Sequence, residues 1–300
     1  MNKFIDRYTL TMRSPALRVL LVAVMALAGA GRPATGQGSE DVLALMTRLG
    51  VSVERYFRRA QSIICLETVR LQSLGPDLSS DGSSPRQLSY ELRVAWEPLS
   101  GDRPEATVVR QLLKVNGRAP RAKDEPGCMD PRSVSPEPLS MFLPAQQPDY
   151  VFTLAGRARV RGRAAVMIDY RSREQGPIAV AFRKECFSID LPGRARGRVW
   201  VDVDTDDVLR LDEHLTGMFD VPLPREHQTR SGPTSVTVER LDSSILYRPV
   251  TFRDPDEIVM LPHSIDTLTV VRHSGVPRLR TNQTFSNYQR FVTTGRVVQP

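Results

Sequence analysis

The 300-residue sequence is poor in cysteine and aromatic residues and has no apolar run long enough to cross a bilayer. It contains 3 cysteines, and aromatic residues make up 6% of the chain. The uncharged run from Val19 to Ala30 is roughly 12 residues long, whereas a membrane-spanning helix needs ~20. No later stretch is apolar enough to span. We therefore expect no integral membrane span after the N-terminal segment.

Recognisable catalytic signatures are also missing. There is no Gly-x-Ser-x-Gly elbow, no His-Glu-x-x-His helix and no glycine-rich loop for phosphate. The 3 cysteines and 4 histidines are dispersed, so they lack the spacing of metal ligands. Asp202, Asp204, Asp206 and Glu213 have the spacing of a calcium loop, but Asp207 occupies the position where that loop needs glycine. This segment therefore predicts a hairpin turn, and we expect no catalytic residue, metal or cofactor.

The N-terminus has the pattern of a secretory signal peptide. Lys3, Arg7, Arg13 and Arg18 precede the apolar run, which ends in small residues. Cleavage after Ala30 is the preferred site and cleavage after Gly36 is the alternative. Removal of residues 1–30 lowers the formal charge from +7 to +4, since four basic residues and Asp6 leave. A periplasmic or secreted location follows, and export makes nucleic acid an unsuitable partner.

The cysteines predict at most one internal disulfide in this oxidising compartment. Cys128 and Cys186 lie in polar segments, and we predict that they form a disulfide; three reduced thiols are the alternative. Cys65 lies among apolar neighbours and is expected to behave as a small core side chain.

The mature chain is predicted to form one helix followed by strands. Residues 39–60 have apolar residues at helical spacing behind Ser39, which predicts a helix. A linker over 31–38 precedes it, and the helix is the first element of a single β-rich domain over 39–292. From residue 63 onward the apolar period becomes two. Loop insertions are predicted at 75–86, 119–147 and 217–232, and a tail at 293–300. The second insertion is expected to include a short helix near 137–143. Strands are predicted at 63–73, 87–97, 106–115, 149–160, 164–171, 178–189, 197–204, 207–216, 235–249, 264–273 and 278–291.

Three stretches carry a resemblance to a known family. They are Arg198-Val199-Trp200-Val201-Asp202 with Thr205 and Val208-Leu209-Arg210-Leu211, then Leu261-Pro262 with Ser264-Ile265, and finally the segment from Thr284 to Phe291. With the preceding helix, this layout resembles the periplasmic lipoprotein-sorting carriers and the related sigma-regulator sensors. The resemblance implies a mainly β fold with an N-terminal helix, in which an antiparallel sheet curls into an incomplete barrel around a cavity for acyl chains.

Arginines recur at every second position in two segments. In an extended chain each set shares one face, with members ~7 Å apart. Such a row could hold phosphate or carboxylate groups of anionic headgroups or acidic glycans, or it could simply protect an edge strand from pairing. Aromatic residues could line the implied cavity or fill a core. The candidate binding residues are Arg157, Arg159, Arg161, Arg163, Arg194, Arg196, Arg198, Trp200, Phe152 and Tyr170.

Three functions are consistent with the sequence. The first is a non-catalytic envelope protein that binds a lipid, a lipoprotein acyl chain or another amphiphile. The second is an interaction or sensor module with a solid core that binds an envelope protein through 119–147 and 217–232. The third, a hydrolase, would require carboxylates or a Ser–His pair to converge in a cleft.

Overall fold

The fold was derived from a computed structural model. The structure describes residues 37–96, 104–122, 124, 127–131, 138–183, 186–225, 228, 232–253 and 255–290. The predicted signal peptide at 1–30, most of the linker and the tail at 293–300 lie outside these residues.

Helix α1 spans Gln37–Arg59 and begins two residues before the predicted Ser39 cap. Leu45, Leu49, Val53 and Phe57 recur at helical spacing and are almost completely buried. Two arginines occupy the last turn, where positive charge complements the helix dipole. The helix therefore presents one apolar stripe to the sheet, as the sequence predicts.

Thirteen strands account for most of the other described residues. They are β1 Ser62–Ser73, β2 Arg86–Trp96, β3 Ala106–Val115, β4 Tyr150–Val160, β5 Arg163–Ser172, β6 Ala179–Arg183, β7 Cys186–Asp190, β8 Ala195–Asp202, β9 Val208–Leu215, β10 Phe219–Pro222, β11 Ser235–Arg253, β12 Asp256–Arg272 and β13 Arg278–Arg290. Two 3-10 helices, Leu139–Phe142 and Gln147–Asp149, precede β4. The first lies within the segment where a short helix was predicted.

The main sheet is antiparallel and remains open. Its strand order is β3-β2-β1-β13-β12-β11-β9-β8-β5-β4, with β10 paired to β11 beside this path. Among the described residues, β3 and β4 do not pair with each other. The predicted fold class, an antiparallel sheet with an N-terminal helix that does not close into a barrel, is confirmed.

The sheet curls strongly at one end. Arg163 at the start of β5 donates to the Met260 sulfur of β12 at 3.5 Å. Three strands separate β5 from β12 in the sheet. This contact between non-adjacent strands is possible only because the sheet twists and coils over that distance.

The hairpin between β4 and β5 turns at Arg161 and Gly162, between the two strands predicted at 149–160 and 164–171. Both residues have positive φ, 49° and 87°, which a type I′ turn requires. A bulge interrupts β4 between Leu154 and Gly156, where Gly156 has a φ of 113°. Glycine adopts this conformation without the strain that a side chain would add.

Three strand predictions were wrong in detail. The single strand expected at 178–189 is the hairpin β6–β7, which forms its own two-stranded sheet among the described residues. Strand β10 lies within the predicted loop 217–232, and β12 begins at Asp256, eight residues before the predicted start. These strands form because of their pairing partners and not because of their local sequence patterns. β10 pairs with β11, and the start of β12 pairs with Val250 to Arg253.

One apolar cluster fills the face of the sheet that α1 covers, which we call the inner face. The cluster joins α1 to Leu139, Met141 and Phe142 of the first 3-10 helix and to the inward side chains of the strands. A second cluster around Val69 and Leu88 lies on β1, β2, β3 and β13. The inner face is therefore largely a packed core in the part of the chain that the structure describes.

The cysteines occupy two different environments. Cys128 and Cys186 form a disulfide with a Cα–Cα distance of 5.2 Å. Cys128 belongs to the segment between β3 and β4, and Cys186 opens β7. Cys65 is buried in the core. The disulfide thus links two segments that lie outside the main sheet and follow different strands.

Candidate functional site

A groove of about 400 Å³ runs along the second half of α1 on the inner face. Its other walls come from β11, β12, the first 3-10 helix and the turn between β8 and β9. The apolar and aromatic lining residues are Val53, Tyr56, Leu139, Val208, Tyr247, Pro249, Ile258, Val259 and Met260. Most of them are buried in the core, whereas Ile258 is 59% exposed. The groove therefore has an apolar wall that solvent reaches.

Three arginines, Arg55, Arg59 and Arg163, border this groove. Arg163 donates to the Asp202 carboxylate at 2.8 Å, and Arg59 lies 3.2 Å from the Glu257 carboxylate. Arg55 is exposed. The groove thus combines apolar walls with positive charge that is partly compensated.

Asp202 anchors the turn beside the groove. Burial raises the pKa of its carboxyl, but N–H donors from Asp204 and Thr205 and the Arg163 guanidinium outweigh that effect and hold the pKa below its ordinary value. Asp206, on the same turn, instead accepts a hydrogen bond from Arg48 of α1 at 3.2 Å. The turn residues therefore hold the hairpin against α1, and the described residues contain no cluster able to bind a metal ion.

An aromatic cluster occupies the inner face near β4. Tyr150, Phe152, Tyr170 and Phe142 lie with ring centroids 6.0 to 6.5 Å apart. Tyr170 crosses over Gly197, where an added Cβ would lie 2.4 Å from the phenol oxygen. The predicted site residues Phe152 and Tyr170 are thus neighbours within a packed core.

Tyr170 also donates a hydrogen bond to Glu213 at 3.1 Å. Burial raises the pKa of the Glu213 carboxyl, and the Tyr170 hydrogen bond and His214 only partly oppose this. Burial and the Glu213 carboxyl in turn raise the pKa of the Tyr170 phenol. The pair is a buried polar contact behind the aromatic cluster.

Trp200 lies on the opposite face of the sheet from Tyr170. Tyr170 pairs with Gly197 and Met167 pairs with Trp200, so three positions separate the two residues in the register. Arg196 and Arg198 share this outer face with Trp200. Arg196 and Arg198 belong to one predicted row, but they and Trp200 do not join Phe152 and Tyr170 in one lining.

The other predicted arginines are dispersed. Arg157 and Arg159 are exposed on β4, beyond the bulge, and Arg159 donates to the Gly162 carbonyl at 2.8 Å. Arg161 is in the turn. Arg194 precedes β8, where it donates to the Gly176 carbonyl at 2.6 Å and lies over the Phe219 ring. Of the seven arginines, only Arg163 borders the groove.

Sequence reasoning missed most of the groove residues. Tyr56 lies within the helix predicted at 39–60, but nothing local indicates what it faces. Ile258 and Met260 lie in the part of β12 that was not predicted as strand. The continuous apolar run from Ile258 to Leu261 could have suggested a longer strand.

The imidazole of His214 is the best candidate for acid–base chemistry. Its Nδ1 lies 3.0 Å from an Asp242 carboxylate oxygen. Ser244 is nearby, but its hydroxyl donates to Asp212 at 2.7 Å. Among the described residues no hydroxyl is hydrogen-bonded to this imidazole, so no Ser–His pair is assembled there.

No described helix is both long and apolar enough to span a membrane.

Comparison with known structures finds several similar chains at low sequence identity. The chain is similar to a DUF1329 family protein of Desulfovibrio piger, with 12% identity, a TM-score of 0.43 and coverage of 84% of this chain and 94% of that one. It is similar to a putative outer membrane lipoprotein-sorting protein domain of Vibrio parahaemolyticus, at 11% identity and TM-score 0.33, covering 82% and 93%. It is also similar to a LolA superfamily protein of Nitrosomonas europaea, at 9% identity and TM-score 0.33, covering 85% and 97%.

No protein-family model and no curated protein sequence matches the chain. Two of the three structures are named as a putative lipoprotein-sorting protein domain and a LolA superfamily protein. Because the TM-scores are below 0.5, the function has to be argued from the residues themselves.

Proposed function

We propose that the protein is an exported, non-catalytic binding protein of the cell envelope that holds one acyl chain of an anionic amphiphile in the groove along α1. The observation that supports this most directly is the groove itself, in which apolar and aromatic side chains form the wall and Arg55, Arg59 and Arg163 form the border. Sites for small molecules have this composition, with an apolar lining and a few polar groups that fix orientation.

The groove size limits the ligand. Its volume of about 400 Å³ is near the lower end of the range for small-molecule sites, roughly 300–1,000 Å³. The first 3-10 helix and α1 fill the adjacent part of the inner face with core residues. The proposal is therefore one chain lying beside α1 with its headgroup near the arginines, rather than several chains inside a barrel.

The test begins with protein purified from a bacterial periplasm without detergent. Native mass spectrometry and organic extraction should detect a stoichiometric lipid, and a fluorescent fatty acid should bind saturably after delipidation. Ile258→Asp should weaken that binding at least tenfold, because the carboxylate would lie against the apolar wall. Val109→Asp on β3 is the matched control, since Val109 is 51% exposed and lies away from the groove.

Equal binding by wild type and Ile258→Asp would contradict the proposal. So would the loss of binding in both variants, because that would indicate a general effect of charge. Circular dichroism and thermal melts of each variant verify that the fold is retained.

A protein partner is the second candidate, and one observation favours it. Met218, in the 217–232 segment, is 66% exposed, and Met129, in the 119–147 segment, is 39% exposed. Exposed methionines are typical of adaptable binding surfaces. A photo-crosslinking residue at 218, but not one at exposed position 241, should then form a defined adduct with an envelope protein.

A further inference from the structure

A second groove, of about 420 Å³, lies on the outer face of the sheet. It crosses β4, β5, β8 and β9 and is separated by the sheet from the groove along α1. Its lining includes Arg171, Arg196, Arg198, Trp200 and His214. Most of its charged side chains come from neighbouring strands in register, so they form rows across the sheet.

The middle row is electrostatically balanced. In the strand register Asp169 on β5 lies opposite Arg198 on β8, and Arg198 lies opposite Asp212 on β9. Arg198 donates to both Asp169 oxygens, at 2.6 and 3.0 Å, and Arg210 donates to both Asp212 oxygens at 2.7 Å. These groups satisfy one another without a ligand.

The adjacent row has a different charge pattern. Arg171 on β5 lies directly opposite Arg196 on β8, and Arg196 lies opposite His214 on β9. Both arginines are exposed, and in the part of the chain that the structure describes neither has a carboxylate partner. Asp242, which contacts His214 at the end of this row, is also bound by Arg240.

Two like charges directly opposite each other on a sheet are unfavourable. The cost is removed when an anion binds between them, and guanidinium groups are well suited to this because they donate in parallel to two oxygens. The groove gives such an anion access from solvent, while Val151 and Thr153 on β4 provide a wall next to Arg171.

We propose that Arg171 and Arg196 together bind one oxyanion, a phosphate monoester or a carboxylate, carried by a small polar molecule. Trp200 lines the same groove and lies under the Arg210 guanidinium at 4.8 Å. It is one of 2 tryptophans in the chain, and the other, Trp96, is buried in the core. Fluorescence of Trp200 therefore reports on the site. This site is independent of the proposed acyl-chain groove.

The experiment titrates the protein, purified from the periplasm, with inorganic phosphate and separately with D-glucuronate at constant ionic strength. Calorimetry and tryptophan fluorescence should both show one site, with a dissociation constant of about 1 mM or tighter. Arg171→Gln and Arg196→Gln should each weaken binding about tenfold. Arg70→Gln is the matched control, because Arg70 is exposed on β1, outside the groove, and its removal changes the charge equally.

Thermal unfolding distinguishes a binding role from a structural one. If the two arginines are held together for a ligand, Arg196→Gln should keep or raise the melting temperature of the ligand-free protein, because a repulsive contact disappears. A lowered melting temperature would assign these arginines to structure and overturn the proposal.

Binding of the wild type to neither anion would also overturn it, as would equal weakening in Arg70→Gln. Vesicles containing phosphatidylglycerol provide the last comparison. Binding to vesicles without binding to the free anions would mean that the charge serves a membrane surface, and would reject a site for a single oxyanion. Saturable binding of either free anion that depends on Arg171 and Arg196 supports it.

Discussion

Glu213 is an acidic side chain held where its ionised form is disfavoured. It lies behind the aromatic cluster and accepts a hydrogen bond from Tyr170. Burial raises the pKa of its carboxyl above the ordinary value of 4.5. The folded protein therefore holds a proton on Glu213 more tightly than the unfolded chain does, and this residue lowers the free energy of unfolding as the pH rises from 4.5 to the raised pKa.

Replacing Glu213 by Gln should remove this pH-dependent loss. The Gln carbonyl can still accept the Tyr170 hydrogen bond, but it carries no charge. We expect Glu213→Gln to be more stable than the wild type at pH 7, with the difference shrinking as the pH falls toward 4.5. Urea unfolding between pH 4 and 8 measures this. Glu239→Gln, at an acid paired with Arg272 on the surface, should show no gain at pH 7.

Alternation along one strand predicted some residue positions well but not their combination. It placed Arg196 and Arg198 on one face, as the structure does. Whether Tyr170 shares that face depends on the register between β5 and β8, which no single strand encodes. The unpartnered arginine pair was missed for the same reason, since Arg171 acquires its neighbour only when β5 pairs with β8.

At the scale of elements, one ion pair joins β1 to β3 across β2. Arg110 donates to Glu67 at 2.6 Å, and their side chains are 6% and 0% exposed. The pair lies on the inner side of the strands that also carry the second apolar cluster. Two charges removed from water need each other, because a lone buried charge is very unfavourable.

Arg110→Met should therefore destabilise the fold by about 3–5 kcal/mol, since it leaves the Glu67 carboxylate buried without its cation. The double variant Glu67→Leu with Arg110→Met should be within about 1 kcal/mol of the wild type, because no buried charge remains. Denaturant unfolding of the wild type, Glu67→Leu, Arg110→Met and the double variant gives the coupling energy. Arg93→Met, in the exposed pair with Glu91, is the control and should cost less than about 1 kcal/mol. Additive losses in the double variant would contradict this account.

Most elements were predictable because their signal is local. The apolar stripe of α1, the period-two strands and the turn at Arg161 and Gly162 depend on neighbouring residues alone. The elements that were missed depend on partners: Phe219–Pro222 becomes a strand by pairing with β11. The hairpin β6–β7 was read as one strand because its two halves have the same strand-forming composition.

At the scale of the whole molecule, the disulfide connects distant parts of the chain. Cys128 and Cys186 are 58 residues apart in sequence. A crosslink that closes a loop of this length lowers the entropy of the unfolded chain by an amount worth about 4 kcal/mol in the chain-entropy account. The bond also fixes the 119–147 segment to the β6–β7 hairpin, which packs with Val221 and Val236.

Cys128→Ser with Cys186→Ser should therefore lower the stability of the oxidised protein by about 2–4 kcal/mol. Unfolding by guanidinium with and without dithiothreitol measures the loss. The reductant should destabilise the wild type by a similar amount and leave the double variant unchanged. If dithiothreitol has no effect on the wild type, the bond is absent from the protein in solution.

The strand order of the sheet could not be predicted from local sequence patterns. A meander in chain order would place β1 at an edge, but β13 returns to pair with β1 and places it inside the sheet. The groove along α1 exists only because this ordering and the curl bring β12 beneath the helix. The resemblance to a known family predicted the class of fold, whereas the filling of the inner face depends on packing that the residue types do not specify.

The bulge in β4 bears on how the protein behaves at high concentration. β4 is a terminal strand of the sheet, and such strands can template the addition of another chain and start aggregation. Here Gly156 kinks the strand, and Arg157 and Arg159 follow it with exposed charge. A second molecule docking there would meet a broken hydrogen-bonding ladder and electrostatic repulsion. The row of arginines that suggests a ligand in the sequence thus also keeps neighbouring copies apart in a crowded compartment.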